Sequence, residues 1–221
     1  MLDFLLQLPA AWKRLRRAPG LALLCLFTLA VGVGATTAVF SLVDAVLLNP
    51  LPYPRAERLV GLWHTAPGLD LDRLPQSTAT YLFYQERSRA LADLALYRET
   101  QVNLTGGDVP ERAPAAAVTA SLLRTLAVEP RLGRAFLPEE ERPGAPPAVL
   151  LSDGIWRRRF GADPAIVGKK VRINGLETEV AGVMRADFDF PNPETELWIP
   201  LTIDAATAEL GRFEAVGVGR C

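Results

Sequence analysis

The stretch LALLCLFTLAVGVGATTAVFSLV, residues 21–43, contains no charged side chain. As an α-helix with a rise of about 1.5 Å per residue, it would be roughly 34 Å long, which is enough to cross a hydrocarbon core of about 30 Å. A secretory signal has an apolar core of only about 7 to 15 residues, whereas this chain stays largely apolar as far as Leu48. The stretch therefore predicts a transmembrane helix with a short stalk, residues 21–48, rather than a cleaved signal.

A basic cluster lies directly before this helix, within residues 13–17, and only two arginines follow shortly after it. Because basic residues are retained on the cytoplasmic side of a membrane, the N-terminus is expected in the cytoplasm and the chain after Leu48 outside it. Residues 1–20 then form either an amphipathic helix in the cytoplasmic interface or a frayed tail, which Pro9 would favour.

Small residues recur along one face of the predicted helix at Ala30, Gly34 and Ala38. Spacing by four residues lets the backbone of another helix approach closely, so these three residues form a candidate helix-packing site. The alternative is that glycine and alanine are simply frequent in membrane helices. The sequence leaves both interpretations open.

The remaining residues, 49–221, have the composition of a water-soluble domain. They carry 20 basic and 23 acidic side chains, a net charge of −3, so no basic field for nucleic acid is expected. The two cysteines are Cys25 in the apolar stretch and Cys221 at the end of the chain, and a disulfide between two such places is not expected.

Strand and helix patterns alternate along this region, which indicates an α+β fold rather than a barrel or a helix bundle. Ser152 and Gly161 have the residue types that cap and end a helix, and Asn174-Gly175 is the sequence of a tight hairpin turn. Strands are predicted at residues 58–65, 148–151 and 195–201, a helix at 77–97, a strand leading into a helix at 112–130, and a hairpin around 171–183.

The stretch PEEERPGAPP, residues 138–147, is rich in proline and charge. Such a composition cannot bury enough surface to order itself, so it predicts a loop between two subdomains. Its carboxylates, Glu139 to Glu141, are expected to be solvated.

No stretch carries a catalytic or metal-binding motif. The sequence GADPAIVGKK, residues 161–170, is a poor phosphate-binding loop, because six residues separate its glycines and Lys170 replaces the required hydroxyl. His64 is the single histidine, and without a cysteine cluster or a second histidine it is expected to be a surface or packed imidazole. We therefore expect no enzyme activity, no cofactor and no metal.

Three stretches together resemble the N-terminal part of MacB/FtsX-type ABC transporter permeases, and most closely the large orphan permeases of acidobacteria. The resemblance extends from about Leu15 to about Leu201. It is carried by RRAPGLALLCLFTLAVGVGATTAVFSLVDAVLLNPLPYPRAERLVGLW, LSDGIWRRRFGADPAIVGKKVRINGLETEVAGVM and ELWIPL, which begin at residues 16, 151 and 196.

The resemblance implies one transmembrane helix followed by a MacB-like periplasmic core domain, residues 49–221, with two mixed α/β lobes. Such permeases work as dimers with a cytoplasmic ABC ATPase subunit, whose ATP-driven movements reach the external domains by mechanotransmission. A full permease continues through three further transmembrane helices. Because this sequence stops at Cys221 after one span, we expect it to be a fragment of such a permease in the inner membrane.

The leading functional interpretation is thus a non-enzymatic permease part whose external domain relays movement or binds a periplasmic partner protein. The first alternative is a self-sufficient, single-span protein whose extracytoplasmic domain binds a ligand or another protein. The second is a membrane-anchored hydrolase that uses His64. The transported substrate is not predicted by any residue pattern.

Overall fold

The computed structural model describes residues 19–43, 53–66, 68, 71–105, 110–204 and 214–221. The chain divides into two compact units, one ending at Leu51 and one from Pro52 to Cys221. In the first unit, helix α1 (Pro19–Val43) contains 25 residues and confirms a long apolar helix at the predicted place. The predicted interfacial segment before Pro19 and the stalk after Val43 lie outside the described residues.

The second unit is a mixed α/β domain, as the alternation of patterns predicts. Its helices are short, and each lies between two strands along the chain. In chain order the elements are β1 (Leu59–Leu62), β2 (His64–Ala66), β3 (Leu71–Leu74), α2 (Thr78–Arg87), β4 (Asp93–Thr105), β5 (Glu111–Val118), α3 (Leu122–Leu126), β6 (Leu132–Gly133), β7 (Ala148–Leu151), α4 (Asp153–Phe160), β8 (Lys170–Ile173), β9 (Leu176–Val183), β10 (Leu197–Pro200) and β11 (Val216–Arg220).

Nine of these strands form a mixed sheet in the order β1-β11-β4-β5-β10-β7-β9-β6, with β8 paired to both β4 and β9. Strands β5 and β10, and strands β7 and β9, run parallel, whereas the other neighbours are antiparallel. Both halves of the domain, before and after residues 138–147, contribute strands to this one sheet.

The double pairing of β8 closes six strands into a ring, which the sequence analysis did not anticipate. The ring runs from β4 through β5, β10, β7, β9 and β8 back to β4, where Leu104 is opposite Ile173. Every strand of the ring contributes to one apolar cluster, over which Ile155 and Trp156 of α4 pack. Burying each large apolar side chain of this cluster stabilises the fold by about 1.5–3 kcal/mol.

The edge strand β6 lies unusually close to β9. Gly182 of β9 is opposite Gly133 of β6, and a Cβ added at Gly182 would lie only 2.5 Å from the carbonyl oxygen of Leu132. Gly133 also has a φ of +80°, a conformation that glycine adopts without steric cost. The two glycines therefore permit the contact that fixes this edge of the sheet.

Most local predictions are confirmed where short-range rules decide the conformation. The Ser152 side chain accepts a hydrogen bond from the Ile155 N–H at the start of α4, and Gly161 ends that helix in the left-handed region. Asn174 and Gly175 have φ values of 51° and 83° and connect β8 to β9.

The predicted helix over residues 77–97 is wrong in its second half. Helix α2 ends at Arg87, and the chain returns as β4, which pairs with β11 and β5. Leu94 and Leu96 are buried by that pairing and by contact with Tyr81 of α2. Leu91 and Leu94 have the spacing of one helix face, whereas Leu94 and Leu96 have the spacing of one strand face, so tertiary packing decides the outcome. The predicted strand at 58–65 is also divided, into β1 and β2, at Trp63.

Residues 138–147 are mostly exposed and contain no strand, as a loop would, but the prediction that their composition prevents ordering and leaves all three carboxylates solvated is wrong. Residues Pro138–Glu141 form a 3-10 helix, and Glu140 pairs with Arg134 at 2.8 Å. The Glu141 carboxylate accepts a hydrogen bond from the backbone N–H of Ala120, and its backbone carbonyl accepts one from Ile203. Side-chain contacts thus order a segment whose composition lacks apolar surface.

The partial burial of Glu141 makes a pH-dependent contribution to stability. Burial raises the pKa of this carboxyl above its usual 4.5, although the hydrogen bond from Ala120 opposes the shift. The ionised form is therefore disfavoured in the folded state. The free energy of unfolding falls as the pH rises from about 4.5, where the carboxyl ionises in the unfolded chain, through the raised pKa of the folded state.

We predict that Glu141→Gln, which cannot ionise, gains stability relative to the parent as the pH rises from 4 to 8. Chemical denaturation of both proteins across this range measures the difference in free energy of unfolding. A difference that stays constant with pH, or that shifts in favour of the parent, would contradict the burial argument.

Candidate functional site

The candidate helix-packing residues Ala30, Gly34 and Ala38 all lie on α1, with exposed side chains or backbone. A Cβ added at Gly34 would meet no atom of the described residues within 4 Å, so none of them covers this position. Whether another helix occupies it stays a prediction.

Helix α1 has the properties of a membrane span by length and composition. Its segment Leu23–Ser41 has a mean hydropathy of 2.1 and is the one such helix among the described residues. The hydroxyls of Thr28, Thr36 and Thr37 donate to carbonyl oxygens three or four residues earlier in the same helix. Such internal bonds satisfy polar groups where water is absent.

The chain reaches the domain through residues 53–58, which we call the neck. Its backbone is held to the end of the last strand at two points. The Arg220 side chain donates Nη2–H to the carbonyl oxygen of Pro54 at 3.1 Å, and the Cys221 N–H donates to the carbonyl oxygen of Arg58 at 3.0 Å. The start and the end of the domain, 166 residues apart in sequence, are therefore bonded together.

Arg220 is the unusual member of this arrangement, because it is a buried cation with 7% of its surface exposed. Its Nε–H donates to the carbonyl oxygen of Thr125 in α3 at 2.6 Å, while Nη1 is buried and has no hydrogen-bond partner. No carboxylate of a described residue forms an ion pair with it. The guanidinium is thus held by backbone carbonyls of the neck and of α3.

An aromatic cluster also contacts the beginning of the neck, at Tyr53. The Tyr53 ring lies 6.4 Å from both Phe188 and Phe190, in edge-to-face geometry. Burial, with a smaller effect of the Asp189 carboxylate, raises the pKa of Tyr53 to about 12. Phe188 in turn packs against the buried Trp198 of β10, so the neck is connected to the middle of the sheet.

A cleft of about 1330 Å³ lies beside the neck. Residues from three stretches line it: 53–54 of the neck, 123–135 from α3 through β6, and 185–188 after β9. Its walls combine apolar surface with four arginines, of which Arg131 also stacks over the Trp156 ring at 5.5 Å. The neck, Arg220 and this cleft together form the candidate functional region.

The residues that the sequence analysis tested for catalysis lie apart from this region. His64 is in β2, stacked on Tyr84. Asp163 and Lys169 of the glycine-flanked stretch 161–170 pair with each other at 2.9 Å. Among the described residues, no group of three or more histidine, cysteine or acidic side chains could hold a metal ion.

Sequence reasoning missed Arg220 and the cleft. The alternation in VGVGR, residues 216–220, was the available signal. Gly217 and Gly219 face the side chains of Leu62 and Leu91, whereas Val218 and Arg220 face α3. An arginine at an inward position of such an alternating stretch is the pattern that could have identified it.

A helix of membrane-spanning length and composition, followed by a sheet-rich mixed α/β domain, defines the architecture of this chain. The family model described as the MacB-like periplasmic core domain matches residues 22–217. The chain therefore belongs to the MacB-like periplasmic core domain family, and the resemblance to MacB-type permeases is confirmed. No curated protein sequence matches the chain significantly.

Solved structures share the fold at low sequence identity. The extracellular domain of the noncanonic ABC-type transporter YknZ from Gram-positive bacteria is 12% identical, with a TM-score of 0.52 over 73% of this chain and 82% of that one. The periplasmic region of MacB from Actinobacillus actinomycetemcomitans is 13% identical, with a TM-score of 0.53 over 73% of each chain. A domain of a Porphyromonas gingivalis protein described as a permease is 16% identical, with a TM-score of 0.57 over 76% of each chain.

We predict that Arg220→Lys loosens the neck, because an ammonium group cannot reproduce the two directed bonds of the guanidinium. The free energy of unfolding should fall by about 1–3 kcal/mol. Hydrogen exchange should become faster at the Arg58 and Cys221 amides, and by a larger factor than in the β4–β5 ladder near Val102, where exchange reports only the loss of global stability.

The matched control is Arg112→Lys, since Arg112 is exposed on β5 and forms no ion pair with a described residue. Equal exchange rates at Arg58 and Cys221 in the parent and the Arg220 variant would show that Arg220 does not hold the neck.

Proposed function

We propose that the chain is the N-terminal part of an ABC transporter permease subunit, and that its domain relays ATPase-driven movement of α1 to the extracytoplasmic side. Family membership supports the permease assignment, because the family takes its name from MacB, and the MacB and YknZ structures with the same fold are domains of ABC-type transporters. No catalytic step is assigned to the domain.

The observation that carries the relay is the attachment of the neck to β11. Any displacement of α1 that reaches the domain along the chain must pass through residues 53–58. Because Arg220 and Cys221 bond the neck to the end of β11, the displacement acts on a strand that lies between β1 and β4 in the sheet. The sheet then moves as a body rather than unravelling from its first strand.

The basic residues before α1 support a cytoplasmic N-terminus, with the domain outside the inner membrane. In this arrangement α1 crosses the membrane between the cytoplasmic side, where the ATPase acts, and the side on which the chain enters the domain. The open face at Ala30, Gly34 and Ala38 is the surface by which α1 packs against a membrane helix, either of the same subunit or of a second permease copy.

We predict that replacing Gly34 and Ala38 with Leu weakens association through α1 without reducing membrane insertion. Leucine favours the bilayer, but its bulk prevents close approach of another helix backbone. Self-association of the chain in vesicles, measured by energy transfer between labelled copies, should fall. In a full-length permease that contains this chain, ATPase stimulation should also fall at normal membrane levels.

The control replaces Leu24 and Phe27 with Ala, which keeps the helix apolar and leaves the small-residue face unchanged. If the Gly34 and Ala38 variant associates and functions like the parent, the small residues reflect membrane composition only. The self-sufficient, single-span binding protein would then be the better description.

A further inference from the structure

We propose that the cleft beside the neck binds an extended, acidic segment of an extracytoplasmic partner protein. From the proposed function this inference takes only the position of the domain outside the cytoplasm.

The size of the cleft favours a polypeptide segment over a small molecule. Its volume of about 1330 Å³ exceeds the roughly 300–1,000 Å³ that is typical of small-molecule pockets. Apolar side chains from separate elements line it, among them Leu123 of α3, Val128 and Phe188. These provide contacts for the apolar side chains of a bound segment.

The surface that faces a ligand is basic, although its arginines are paired. In three ion pairs the carboxylate lies underneath and the guanidinium lies outside. The exposed fractions of the side chains are 69% against 22% for Arg124 and Asp93, 46% against 10% for Arg131 and Asp153, and 39% against 12% for Arg134 and Glu140.

Three other charged side chains line the cleft, and they do not make its surface acidic. Arg185 and Asp187 pair at 3.0 Å with both side chains exposed, so they add no net charge. Glu129 is the remaining exposed carboxylate of the lining. Arg134 pairs also with Glu179 at 3.5 Å, and the Glu179 side chain is 50% exposed, so Arg134 adds little net positive charge. A ligand therefore meets two outward guanidinium groups, those of Arg124 and Arg131, and one exposed carboxylate, Glu129, without an ion pair among the described residues.

Two of the guanidinium groups keep donors for a ligand. Arg124 donates to Asp93 through Nε, and Arg131 donates to Asp153 through Nη1. Each has further N–H groups directed elsewhere, because a guanidinium carries five donors in a fixed plane. Carboxylates of an acidic segment would form charge-assisted hydrogen bonds with them.

The cleft also borders an open strand edge. Strand β6 is the last strand of the sheet, and Gly133 lines the cleft. The Arg131 and Arg134 amides donate to Val183 and Ala181 of β9, so the other side of β6 faces away from the sheet. Because β6 has only two residues and Gly133 has a φ of +80°, an extended segment could form only short backbone pairing with this edge.

An occupant of the cleft would contact the neck directly, because Tyr53 and Pro54 form part of its wall. Pro54 is the residue whose carbonyl accepts the bond from Arg220. Movement of the neck would therefore change the shape of the cleft and the affinity for its occupant.

The test uses the full chain in detergent micelles and a fluorescent peptide of alternating Leu and Glu. A matched peptide of alternating Leu and Lys is the charge control. We expect the acidic peptide to bind and the basic one not to bind. Arg124→Gln and Arg131→Gln should each weaken binding about threefold to fivefold, as expected for solvent-exposed ion pairs. Arg112→Gln, which lies outside the cleft, should leave binding unchanged.

Three results would overturn the proposal: equal binding of both peptides, insensitivity to both arginine substitutions, or displacement of the peptide by a short-chain anionic phospholipid but not by unlabelled peptide. The last result would identify a lipid headgroup as the ligand. Thermal unfolding confirms that each variant is folded. The permease proposal rests on association and ATPase stimulation through α1, so its failure is distinguishable from failure of peptide binding.

Discussion

The burial of the Arg220 guanidinium is the constraint on which the arrangement of the neck depends. Removing a cation from water is costly, and no described carboxylate offsets it. Hydrogen bonds to backbone carbonyls reduce this cost. The carbonyl oxygens of Pro54 and Thr125 must therefore lie within hydrogen-bond distance of the guanidinium. One side chain thereby fixes the neck, α3 and the end of β11 relative to one another, and all three elements belong to the candidate functional region.

One continuous sheet connects the neck to the remainder of the domain, which favours movement of the domain as one body. At the end of the sheet away from Arg220, the closure of six strands around a shared apolar cluster resists bending of the ladder. Between the two ends, β4 extends over 13 residues and connects the strand beside the neck to the ring. Under the proposed relay, movement at the neck reaches the far end of the domain through this strand. The cleft lies beside the neck, where displacement and binding would be coupled.

The predictable features are those that nearby residues decide. Ser152 caps a helix and Asn174-Gly175 turns a hairpin because the required groups are adjacent in sequence. The errors occur where distant residues decide. The segment around Leu94 becomes a strand because β5 and β11 pair with it, and Glu141 is ordered because Ala120, 21 residues away, donates to it. The alternation in residues 216–220 marks Arg220 as an inward residue, but its partners lie 95 and 166 residues earlier and no local pattern reveals them. The candidate helix-packing residues of α1 rest on spacing alone and stay a prediction.

The most direct test of the account is the distance distribution between spin labels on the neck, at Glu57→Cys, and on the ring, at Arg112→Cys, with the two native cysteines replaced by serine. Both labelled positions are exposed. If Arg220 makes the neck and the sheet one rigid body, pulsed electron resonance should give a single narrow distribution, and Arg220→Gln should broaden it. A broad distribution in the parent, or an unchanged narrow one in the Arg220 variant, would contradict the account.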